Sequence, residues 1–114
     1  MKGWGQHQES VVRALREVER QLVTEARAGL VDVLAIRQQR KLRTAQAAIS
    51  RSLAEFTSEV SKKGELSPID AGQAKLEAAR IANTIRILDA EEAAAVGKLK
   101  PLLGMRPEEP LYVG

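Results

Sequence analysis

His7 is the single imidazole of this 114-residue chain, and cysteine is absent. It stands near the start with no second histidine or thiol beside it. Neither a nucleophile–base pair nor a nitrogen and sulfur ligand set is therefore expected there. Carboxylates do come in pairs, Glu55 with Glu59 and Glu91 with Glu92. Without histidines these spacings describe a solvated helix face better than a metal site. Glu92 differs, because it falls on an apolar repeat described below. A carboxylate there is costly unless paired, and Arg40 or Lys41 is the expected counter-ion. Arg37, Arg40, Lys41, Arg43 and Arg51 make one stretch locally basic. They are spread around a helix with no aromatic residue between them for base stacking, so interhelical ion pairs are expected rather than a phosphate or lipid surface. No catalytic residue, cofactor or metal is expected, and the chain is read as no enzyme.

Composition narrows the class further. Apolar residues make up 44% and charged residues 29%, which suits a folded segment rather than a disordered one. The apolar share is mostly Ala, Leu, Val and Ile, with Trp4, Phe56 and Tyr112 as the aromatics. That favours thin helix-on-helix seams over a thick core. With 18 basic and 15 acidic residues interspersed, the net charge of +3 gives no broad basic field, and nucleic acid is not expected as a partner. No apolar run approaches the roughly 18 residues needed to span a bilayer, and Met1-Lys2-Gly3-Trp4-Gly5 has no signal-peptide core. The segment itself is expected to be soluble and not membrane-spanning.

These residues need long helices to position them. From Gln8 to Lys63 there is no proline and one glycine, Gly29. Val11, Leu15, Val18, Leu22, Ala26, Leu30 and Val33 recur at helical spacing, and Leu42, Ala45, Ile49, Leu53, Phe56 and Val60 continue it. One helix over about residues 8–63 is expected, roughly 80 Å long at 1.5 Å per residue. A turn over 64–67 should end it. Gly64 suits the left-handed position after a helix, Ser67 an N-cap, Pro68 the first helical position and Asp70 the third. Leu66 could staple onto Ala71.

A second helix is expected over about residues 68–103. Its seam is Ala71, Ala74, Ala78, Ile81, Ile85, Leu88, Glu92, Ala95, Leu99 and Leu102, in steps of three and four. Pro101 should disturb the last turn, and Gly104, Pro107 and Pro110 should leave an extended tail over 104–114. The fold class is thus all-α, a long antiparallel coiled-coil hairpin with a short extended tail. Folded about Leu66, the second helix reaches back only to about Leu30. Residues 8–29 then carry an apolar face that nothing in the chain covers.

The run Lys62-Lys63-Gly64-Glu65-Leu66-Ser67-Pro68-Ile69-Asp70-Ala71-Gly72-Gln73-Ala74-Lys75-Leu76 resembles the hairpin turn of TolC-like outer-membrane efflux proteins. There a glycine is followed by a serine three residues on, an aspartate six residues on, and an alanine-rich helix. Leu99-Lys100-Pro101-Leu102-Leu103-Gly104-Met105-Arg106-Pro107-Glu108-Glu109-Pro110-Leu111 is similar to that family's closing Leu-Leu-Gly segment. Trp4-Gly5-Gln6 and the long first helix are similar to its descent through the periplasm. Pro101 and Val60 depart from the pattern, the latter where an aromatic is common. The resemblance implies a periplasmic helical hairpin of a trimeric channel on the periplasmic side of the outer membrane. It also implies that Gly64, Leu66, Ser67 and Asp70 lie at the tip that docks a periplasmic adaptor protein. The alternative is a free-standing coiled-coil interaction or scaffold module that self-associates through its apolar seams.

Overall fold

The computed structural model describes the backbone of residues 2–112 and the side chains from Gly5 to Tyr112. Trp4 and the last two residues of the tail expected over 104–114 lie outside the described side chains. Two helices make up the fold: α1 (Lys2–Lys62) and α2 (Pro68–Leu102), with no strand among the described residues. The chain is an all-α antiparallel coiled-coil hairpin. Among the described residues no helix is long and apolar enough to cross a membrane.

Both helices stop for the same reason. Gly64 and Gly104 take the left-handed conformation at φ 77° and 69°. In the turn, the Glu65 N–H bonds the Val60 carbonyl at 3.1 Å and the Gly64 N–H bonds Ser61 at 3.0 Å. At the end of α2, Met105 donates to Lys100 at 2.9 Å and Gly104 to Pro101 at 3.1 Å. These are paired Schellman bonds, which satisfy carbonyls the helix end leaves open. Helix α2 begins with Ser67 as its cap, its Oγ accepting the Ile69 N–H at 3.1 Å. Pro68 follows at a position where its missing N–H costs nothing. Pro101 is accommodated in the last turn of α2, one residue before the helix ends. The tail is not helical; it turns at 106–109 through the bond from Glu109 N–H to Arg106, and Lys100 Nζ donates to the Pro107 carbonyl at 2.8 Å.

The chain forms two compact units. In the unit of residues 34–94, Ile36, Ala54, Ala71, Ile81 and Leu88 are buried. Ala47, Ser50, Thr57, Ser58 and Ser61 of α1 and Ala74, Ala78 and Ile85 of α2 are half-buried with them. Every residue expected on the α2 seam within this unit is on it. The α1 seam differs from the expected one. Leu42, Ala45, Ile49, Leu53 and Phe56 are exposed and Val60 is half-buried, whereas the inward face is the small one through Ala47, Ser50 and Ala54. Small side chains on a packed face allow helix axes to approach closely.

The other unit joins residues 1–33 to 95–114. Val33 and Leu99 are fully buried here. Gly29 sits against Leu99, so that a Cβ on it would lie 3.1 Å from Leu99 Cδ1. Ala26, Leu30, Ala95, Leu102, Met105 and Leu111 are half-buried in the same unit. From Gly5 to Glu25 every described residue of α1 is exposed. Val11, Leu15, Val18 and Leu22 are therefore uncovered within the chain.

Candidate functional site

Glu92 has the guanidinium the sequence demands, and a second one. Arg37 Nε donates to Glu92 Oε2 at 3.2 Å. Arg40 Nη1 forms an ion pair with Glu92 Oε1 outside hydrogen-bonding alignment, and bonds Asp89 Oδ1 at 3.3 Å. The Glu92 side chain is only 15% exposed, so this is the most enclosed charge cluster of the described ion pairs. Arg40 was named from the sequence as a partner of Glu92, Arg37 only among the residues expected in interhelical ion pairs; Lys41 is exposed. Arg43 donates instead to Gln46 Oε1 at 2.8 Å. Arg51 lines a groove of about 530 Å³ with Ala54, Glu55, Ser58, Glu59, Lys75 and Ala78.

The remaining candidate chemistry stays apart. His7 is exposed, and Glu59 pairs with Lys62 at 3.4 Å. No three side chains of metal-binding type gather among the described residues. What does gather is apolar surface. On α1, Leu42, Ile49, Leu53 and Phe56 are between 55% and 71% exposed. They repeat in steps of three, four and seven, the spacing of a second coiled-coil seam on a helix that already has one. In the other unit, Leu22, Val23, Ala26, Leu30, Leu102 and Leu103 line an apolar groove of about 390 Å³ between Glu19 and Arg27.

At the turn, Gly64, Ser67 and Asp70 are exposed and Leu66 is half-buried. The sequence leaves Leu66 two roles, a staple onto Ala71 or a contact at the docking tip. It precedes the cap, and the buried Ala71 is four positions into the helix, the pairing of a hydrophobic staple. The large apolar side chain left in water beside the turn is Ile69, 73% exposed. An aliphatic residue in the first turn of a capped helix carries no sequence signal that separates it from a core position, so Ile69 was not singled out. Comparison with protein-family models, curated proteins and solved structures gives no match.

Proposed function

We propose that this chain is a wall segment of a TolC-like outer-membrane efflux or secretion channel, a passive conduit with no turnover of its own. A helix in a closed helical cylinder has a neighbour on each side and needs a seam for each. The observation that supports the reading is the second seam of α1, Leu42, Ile49, Leu53 and Phe56, left in water while a different face packs on α2. Covering four such side chains is worth about 1.5 to 3 kcal/mol each. The uncovered Val11, Leu15, Val18 and Leu22 ask for the same kind of cover. In this reading three channel protomers supply the neighbours, the hairpin lies on the periplasmic side of the outer membrane, and Gly64, Leu66, Ser67 and Asp70 form the tip that meets a periplasmic adaptor protein.

The same stripe would serve a free-standing module that self-associates, and one experiment separates the two. A photo-crosslinking residue at Phe56, activated in living cells, should trap a ladder of copies in the outer-membrane fraction. A single dimer band in the soluble fraction favours the module. Absence of any crosslink contradicts both.

A further inference from the structure

Two faces of α1 compete for α2. The buried one carries Arg37, Arg40, Ala47, Ala54 and Ser61, and the exposed one Leu42, Ile49, Leu53 and Phe56. At 3.6 residues per turn they lie about 160° apart, on nearly opposite sides of the helix. Apolar area alone favours the second, because large aliphatic and aromatic side chains gain more from leaving water than alanine and serine do. The fold takes the first. What that face has, and the other lacks, is a pair of guanidiniums for Glu92.

Arg37 and Arg40 both reach the Glu92 carboxylate, and Arg40 also reaches Asp89. Turning the Leu42 face toward α2 would bring Ala35, Gln39 and Leu42 to the level of Glu92 in place of the arginines. Glu92 would then exchange two guanidiniums for Lys41 at the edge of that face, a single flexible ammonium in place of a two-arginine clamp, and a carboxylate on the seam is costly without well-placed partners. We propose that the Arg37–Glu92–Arg40 cluster is a face selector. It decides which side of α1 packs on α2 and so keeps Leu42, Ile49, Leu53 and Phe56 free for a neighbouring helix. The use of the freed face rests on the function proposed above; the selection itself is a property of the single chain.

The chain has no cysteine, so thiol crosslinking within one molecule reads the chosen face directly. Ala54→Cys with Ala78→Cys tests the observed face, and Phe56→Cys with Ala78→Cys the other. In dilute chain the first pair should react with a short bifunctional reagent about tenfold faster or more. Glu92→Leu should erase that preference. Arg37→Leu/Arg40→Leu/Glu92→Leu should erase it too while keeping its helical content, since an apolar replacement of a buried ion cluster is often neutral or stabilising. A preference retained in both variants would overturn the proposal. So would a triple variant that loses its helices, because the cluster would then be needed for folding and not for choosing a face. Intermolecular crosslinks at Phe56 report on the channel reading separately, so either can fail alone.

Discussion

Gly64 and Ser67 act within a few residues of each other, and each does one job that a substitution can remove. Ser67→Ala is expected to lower stability by about 1 kcal/mol through the lost cap. Gly64→Val should cost more, because a β-branched side chain is strained at the φ of 77° found there. Urea denaturation measures both, and unchanged midpoints would contradict the turn. Gly29 is a glycine for another reason, the approach of Leu99. Gly29→Val is expected to cost about 1 to 3 kcal/mol by overpacking. Gly29→Ala should fall near zero, its helix propensity gain of about 1 kcal/mol set against a small displacement of Leu99. The turn was legible in the sequence because capping chemistry is local: glycine, serine and proline act on backbone groups of their own neighbours. Arg37 was not legible as a partner of Glu92, because which residue faces a seam position across 55 residues depends on helix packing and not on any local pattern.

At the scale of helices the two elements differ in how plainly they can be read. Helix α2 has one unbroken apolar repeat, and its steps of three and four mark the seam correctly through Ile81, Leu88 and Leu99, while Ile69, Leu76 and Ile87 stand off it in water. Helix α1 has two faces, and apolar size pointed to the wrong one for the contact with α2. Periodicity finds seams, but it does not say which seam is used inside the chain and which outside. The distinction has an energetic signature. Leu99→Ala should cost about 2 to 5 kcal/mol, as for a buried leucine that leaves a cavity. Phe56→Ala in the dilute chain should stay within about 0.5 kcal/mol of the parent, as for a surface position. Denaturation at low concentration tests this, and comparable losses at the two sites would contradict the assignment of faces.

Taken as a whole molecule, the chain has helical order but much apolar surface still in water: the stripe of α1, the uncovered stretch before Ala26, and Ile69 beside the turn. If the tip docks an adaptor, Ile69→Asp should weaken adaptor crosslinking in cells while the channel still reaches the membrane. Leu66→Asp, at the half-buried position, should instead lower the amount of folded protein. Equal behaviour of the two variants would contradict this division between docking and stapling. The central claim is that Leu42 and Phe56 belong to contacts between chains, and thiol labelling tests it most directly. Single cysteines at Leu42, Phe56 and Leu15 should react in dilute chain as fast as an unfolded control, while one at Leu99 is protected. In the assembled state all three should become protected as well. Protection of Leu42→Cys and Phe56→Cys in demonstrably monomeric chain, or their continued reactivity in the assembly, would contradict it.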